Sequence, residues 1–299
     1  MNILFDNVNF NSNSGPNSFG KRLANELVTT GHQINGQNPD IQLSFIQATH
    51  KSFPLVLRLD GIYFNSKQNW EQLNLPIKQT FQIADGVIYQ SKFNQVLTEK
   101  YFGGKEKSSV INNGTNLNLI NSIEPLEHKF FESFDKIWCC ASNWRPHKRL
   151  KENVRYFLEH SSEKDCLIVA GDNPDYNIKH ERIFYAGNLP WEGLIALYKR
   201  SEYFLHLALL DHCPNVVVDA RASGCKIVCA SSGGTKEVIS KGDIIIEDKE
   251  WDYEPFELYK PPSLDFSNYT LSENQISIDI KDVATKYLDF FNNVLAGLK

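Results

Sequence analysis

The chain has 299 residues, is 41% hydrophobic, and carries 31 Lys and Arg against 36 Asp and Glu, a formal charge of −5. That length is more than one core usually holds, so two lobes are expected. An acidic balance without a long basic run argues against nucleic-acid binding through phosphates and against a strongly basic membrane face. No window of 18 apolar residues occurs, and the N-terminus has neither a basic nor an apolar leader region, so neither a spanning helix nor a signal peptide is read and the expected compartment is the cytoplasm. Six cysteines sit mostly in apolar contexts without C-x-x-C spacing and read as reduced core residues.

Short apolar runs alternate with amphipathic segments throughout, the pattern of βα units wound into parallel sheets. In the first half the strands are expected at Asn2 to Phe5, Ile41 to Ile46, Pro54 to Leu59, Gly86 to Gln90 and Ser109 to Ile111. The segment "NSFGKRLANELVTTG" spaces Phe19, Leu23, Leu27 and Val28 as one helix face and stops at Gly31. "SKFNQVLTEKYFG" repeats the pattern, capped by Ser91 and ended by Gly103.

A polar, acidic stretch, "NNGTNLNLINSIEPLEHKFFESFD", separates this series from a second one. There "KIWCCAS", "DCLIVAGD", "RIFYAGN", "EYFLHLAL" and "CKIVCAS" read as strands, with helices starting near Lys148, Pro190 and Asn215. The division is therefore 1–120 and 121–279, with a last helix at 280–299 after a poorly patterned segment from Trp251 to Ser277. The aromatics of "YFGGKEK" and "FFESF" are expected in a core or interface, with at most weak peripheral membrane contact.

In parallel open sheets, ligands gather at strand C-termini, where helix N-termini offer unpaired N–H groups to anions. The stretch "DHCPNVVVDARASGCKIVCASSGGTKEVI" contains two such turns in succession. Asp211 at the strand end and Asp219 in the following helix both face that rim, placed to accept hydrogen bonds from a hydroxyl-rich ligand, although a turn cap and a surface helix acid are the blander reading. Cys213 in the same turn has no paired base in sequence and reads as packing.

This stretch resembles the retaining GT-B nucleotide-sugar glycosyltransferases called group 1 or family 4. Their signature is a pair of glutamates separated by seven residues around a proline turn, followed by "A-x-A-x-G-x-P-V-V" and "G-G-x-x-E". Here aspartate stands at both acid positions. "ASNWRPHKRLKENVRYF" resembles the family's donor-diphosphate loop, with Lys148 on the usual lysine and Ser142 where an arginine normally sits, so that Arg145 or Arg149 is expected to reach the phosphates. "IFYAGNLP" resembles the strand end near the nucleoside, with Gly187 and Asn188, and "VINNGTN" resembles the close of the first lobe. "NSGPNSFGKRLANEL" resembles the glycine loop, with Gly15 near the diphosphate or acceptor. "LRLDGIY" resembles the strand end where many members carry a histidine near the transferred sugar; this chain has Asp60, whose other reading is a strand-end turn acid before Gly61.

The resemblance covers most of residues 1–240. It implies an α/β fold of two Rossmann-like doubly wound parallel-sheet lobes facing across a cleft, the first on the acceptor side, the second holding the nucleotide sugar, with the final helix crossing back onto the first lobe. It implies transfer of a sugar, with retention, from a nucleotide diphosphate sugar such as a UDP- or GDP-sugar to an acceptor hydroxyl. A glycan or lipid-linked glycan end in glycan or polysaccharide biosynthesis is the expected acceptor. Lys148, Asp211, Asp60 and Arg145 take the catalytic roles in that reading. Gly15, Ser142, Arg149, Gly187, Asn188, His212, Pro214, Asn215, Val216 and Asp219 take donor-binding ones. No D-x-D and no metal-ligand spacing occurs, so neither metal nor cofactor beyond the donor is expected. The rival reading is a nucleotide-sugar or carbohydrate binding protein with an impaired site. A dehydrogenase ranks lower, because no G-x-G-x-x-G follows the first strand.

Overall fold

The computed structural model describes residues 1–298. Its first sheet contains β1 (Asn2–Asp6), β2 (Gln33–Ile34), β3 (Ile41–Phe45), β4 (Leu55–Leu59), β5 (Gly86–Tyr89) and β6 (Ser108–Val110), all parallel in the order β2-β1-β3-β4-β5-β6. β3 and β4 are buried along their whole length; β4 reads as an apolar run broken only by Arg58, whereas β3 alternates and its polar Gln42 and Ser44 are buried as donors to Asp6. Helix α1 (Gly15–Thr29) buries Phe19, Leu23 and Leu27. Val28, expected on that face, is instead 54% exposed; nine steps of a 3.6-residue helix carry it about 180° round from Phe19. Helix α2 (Trp70–Ile83) has no counterpart in the sequence reading, because Pro76 interrupts its pattern. Helix α3 (Lys92–Phe102) starts at Ser91, whose hydroxyl accepts from the Asn94 amide, and ends at Gly103 with φ +87°.

The chain changes lobe just before α4 (Leu117–Asn121), since Ile120 and Phe131 already belong to the second core. The aromatics of "FFESF" pack there too, with Phe130 edge-on to Phe184. The second sheet contains β7 (Ile137–Ala141), β8 (Cys166–Ala170), β9 (Ile183–Gly187), β10 (Tyr203–His206), β11 (Lys226–Ala230), β12 (Ile244–Ile246) and β13 (Tyr269–Leu271). Its order is β13-β12-β11-β10-β7-β8-β9, parallel except for β13. Helices α5 (Leu150–His160), α6 (Trp191–Arg200) and α7 (Asn215–Ala222) cover it. Strand order reverses between β7 and β10, so the loops after these two strands flank a topological switch point, where open α/β sheets hold ligands.

Two later segments return to the first lobe. Trp251, Tyr253, Phe256 and Leu258 pack with Phe64 and Phe93, and Tyr101 donates to the Tyr253 carbonyl. This strap has no helical or strand period because its side chains fit an existing surface. The final helix α8 (Ile280–Ala296) buries Tyr287, Phe291 and Val294 against the core of α1 and β1. Thr115, on the outgoing crossing, exchanges backbone hydrogen bonds with Ile278 and Ile280 on the return. Among the described residues no helix is long and apolar enough to cross a membrane.

Candidate active site

The loop after β7 passes through a 3-10 turn, Pro146–Lys148, and the loop after β10 turns at Leu210, a non-glycine residue at φ +55°. These loops bring the Lys148 ammonium to Asp211 Oδ2 at 2.5 Å. His206, the last residue of β10, lies beneath with Nε2 2.9 Å from the same oxygen. Burial would raise the Asp211 carboxyl, but Lys148 and His206 outweigh it and hold Asp211 well below the usual carboxylate range. Burial keeps His206 below its ordinary value despite the adjacent carboxylate.

The Gly-Gly turn is required by close packing. A Cβ on Gly233 would stand 2.5 Å from the Asp211 carbonyl oxygen, and one on Gly234 2.0 Å from that of His212. Behind this turn, Glu237 caps the opposite lobe: its carboxylate accepts from the amides of Lys92 and Phe93, at 2.7 and 2.9 Å, at the positive end of α3. His212 projects the same way. Its ring meets Gly61 and the Phe93 face, and burial drives its imidazole down to about 4. His147, stacked on Tyr259, is lowered by burial to about 3.

The signature's second acid is sealed. Asp219, on α7, is 4% exposed, and its Oδ2 accepts from Arg22 of α1 at 2.6 Å and from the Trp191 indole at 3.0 Å. Asp219 Oδ1 and Arg22 Nη1 are buried without a partner. At the start of α7, Pro214 precedes Asn215, whose side chain donates to the Gly15 carbonyl at 2.9 Å, and half-buried Val216 follows. The space beside Gly15 is open.

On the first lobe, Asp60 pairs with Arg58, which is fully buried over the Phe19 and Phe45 rings. Burial pushes the Asp60 carboxyl up against the pull of Arg58. Arg58 also donates to Asn113 at 2.6 Å, and Asn113 donates to Asn215 and to the Cys213 carbonyl across the cleft. A continuous polar chain therefore runs from Asp60 to the start of α7. Cys213 is inert packing: burial raises its thiol to about 12.

The two arginines suggested in place of the family's phosphate arginine part company. Arg145 is exposed beside Lys148 and has no side-chain partner among the described residues. Arg149 is the correction: its guanidinium is fully buried in a two-bond pair with Asp248, at 2.7 and 3.3 Å, beneath the rim. It ties the loops after β10 and β12 together through the Leu207 carbonyl and Asp248. Ser142 sits at the end of β7 with its carbonyl against Gly171, where a Cβ would stand 1.8 Å away. Gly187, with φ +67°, closes β9, and Asn188 is exposed just after it.

The sequence thus points to Lys148, Asp211, His212, Asn215, Gly15 and Asp60 as groups that meet at one cleft. It does not disclose Arg22, Arg58, Asn113 or His206. Each looks ordinary locally; packing of distant segments gives Arg22, Arg58 and Asn113 their roles, and the fold-back of the turn at Leu210 gives His206 its own. Glu237 lay in the quoted "G-G-T-K-E" without a partner to explain it. Among the described residues no group of three or more His, Cys, Asp or Glu is arranged to hold a metal ion.

Residues 133–253 match the family model described as "Glycosyl transferases group 1". Over those residues the second lobe is similar to the group 1 glycosyl transferases. The matched segment includes Lys148, Asp211 and Asp219, and the whole chain has the GT-B fold. Sucrose-phosphate synthase from Thermosynechococcus elongatus superposes with a TM-score of 0.72 at 11% identity, covering 99% of this chain and 100% of that one. HepE from Anabaena, in complex with UDP-glucose, gives 0.64 at 14% identity, covering 100% and 99%. A glycosyltransferase of avilamycin A biosynthesis gives 0.65 at 13% identity, covering 99% and 98%. No curated protein sequence matches the chain.

Proposed function

We propose that the protein is a retaining, metal-independent glycosyltransferase that moves a hexose from a nucleoside diphosphate sugar to an acceptor hydroxyl on a glycan or lipid-linked glycan. The observation that carries this reading is the meeting of Lys148 and Asp211 at the switch point of the second lobe. The neighbouring start of α7 adds Asp219 a single helical turn further on. The bound UDP-glucose of Anabaena HepE, a protein of the same fold, supports a nucleotide-sugar donor.

Breaking a sugar–phosphate bond leaves negative charge on the diphosphate and positive character on the sugar. The site must therefore supply fixed cations and N–H dipoles at the leaving group. Lys148, the exposed Arg145 and the first amides of α7 are suited to that work. Asp211 accepts from the sugar hydroxyls and Asp219 from the ribose diol. Asp60, held by Arg58 on the opposite wall, faces the transferred sugar. Retention needs no protein nucleophile if the departing phosphate takes the proton of the attacking hydroxyl on the same face, and the inert Cys213 agrees with that.

The experiment is a thermal-shift panel of UDP-, GDP- and dTDP-sugars followed by measurement of released nucleoside diphosphate with and without glycan acceptors. A donor at a hundred times its dissociation constant adds about 2.7 kcal/mol of stability. A shift without any release of nucleoside diphosphate would favour the impaired binding protein instead.

A further inference from the structure

We infer that His206 is a positioning residue that aims the Asp211 carboxylate at the donor sugar. This deepens the function proposed above and rests on it. Both side-chain donors to Asp211, Lys148 Nζ and His206 Nε2, approach one oxygen, Oδ2. Among the described residues, Asp211 Oδ1 takes only the amide of His212, at 3.1 Å. With Oδ2 anchored, Oδ1 keeps accepting capacity for a hydroxyl.

The two anchors differ in permanence. Lys148 is a flexible chain with a partly exposed side chain, and an arriving diphosphate competes for its ammonium. His206 is 4% exposed at the end of β10, its ring parallel to that of Phe204, and has nowhere to go. When Lys148 turns to the phosphates, the imidazole N–H is the bond that keeps Asp211 in place and ionised. The backbone holds the acid from the other side: Leu210 adopts the left-handed region, and Gly233 and Gly234 pack on the Asp211–His212 turn. The shortness of aspartate makes this bracing matter, because a side chain with one methylene fewer than glutamate has less freedom to reach a misplaced hydroxyl.

The test compares His206→Leu, which removes the N–H at similar volume, with His206→Gln, whose amide can restore a donor near Nε2. UDP and GDP affinities are measured by calorimetry, and turnover is read as nucleoside diphosphate released from UDP- and GDP-hexoses. Loss of one charge-assisted hydrogen bond predicts that His206→Leu keeps nucleotide affinity within about twofold while kcat falls at least about tenfold, and that His206→Gln recovers most of it. Unchanged kcat in His206→Leu overturns the proposal. So does joint loss of nucleotide affinity and turnover that His206→Gln fails to recover, which marks a purely structural role. A second arm needs no donor: the carboxyl carbon of Asp211, followed by NMR, titrates at higher pH in His206→Leu and returns toward wild type in His206→Gln. An Asp211 midpoint that His206→Leu leaves unmoved also overturns it. Wild-type protein that binds neither nucleotide defeats the donor reading and leaves the NMR arm to decide the brace.

Discussion

Arg22 of the first lobe and Asp219 of the second are joined across the cleft by a 2.6 Å ion pair in which the aspartate is nearly sealed from solvent and the arginine is half-buried. The acid proposed for the ribose is thus held, in this conformation, by a cation from the opposite wall. Because Asp219 Oδ1 and Arg22 Nη1 are both buried without partners, the pair is incompletely satisfied. A vicinal diol, which both donates and accepts, meets that deficit better than a guanidinium making one bond.

Arg22→Met therefore separates stability from binding. Removing one partner leaves a buried carboxylate uncompensated, and the free protein should lose about 3 kcal/mol, read as a lower melting temperature. Nucleoside diphosphate affinity should rise by roughly tenfold, because no cation has to be displaced. Equal or weaker affinity by calorimetry would show that Arg22 does not compete for the donor's place.

Lys148→Ala tests the leaving-group cation. Loss of one such donor typically raises the barrier by about 3 kcal/mol, so turnover should fall at least about a hundredfold. Near-normal turnover of the purified variant would remove Lys148 from the mechanism.

The buried imidazoles predict acid lability with a definite sign. His147 and His212 have folded values of about 3 and about 4, below the ordinary 6.5. The unfolded chain binds their protons first, so stability is full above about pH 6.5 and is lost progressively as the pH falls toward those folded values. Asp211, depressed by Lys148 and His206, adds a further loss below its ordinary value. Chemical denaturation at pH 7 and pH 5 should give a clearly lower stability at pH 5, and His212→Phe should shrink that difference; a flat profile would contradict the assignment.

Gly61 tests lobe contact. It has φ +133°, and a Cβ there would stand 2.5 Å from His212 Nε2. Gly61→Ala should destabilise the protein by about 1–3 kcal/mol, through overpacking and a strained backbone. Adding His212→Gly should return the part due to the clash, measured as a double-mutant coupling.

Strands of both lobes were legible because parallel sheets bury both faces and write themselves as largely apolar runs, β4 and β8 among them. The helix ends at Ser91 and Gly103 were legible through local capping chemistry. Other features were not. The Trp251–Leu258 strap follows the contour of the first lobe rather than a period of its own, and the short strands β2, β12 and β13 carry too few residues to show one. Lys148 and Asp211 could be placed together because both lie in loops after strands. Arg149, one residue from Lys148, is in the left-handed region at φ +52° and is buried against Asp248, neither of which is visible in the composition of "RPHKRL". Arg22 was silent for a related reason, since its partner Asp219 lies on the other lobe; His206 was silent because its contact with Asp211, five residues on, depends on how the turn at Leu210 folds back over the strand end.

Calorimetric titration of UDP and GDP into wild-type protein and into Lys148→Ala tests the donor cleft most directly. Saturable binding of at least one nucleotide, weakened about tenfold or more in the variant, is the expected result for a lost charge-assisted contact. Absence of binding to the wild type, or equal affinity in both proteins, would contradict a nucleotide-sugar site at the switch point of the second lobe.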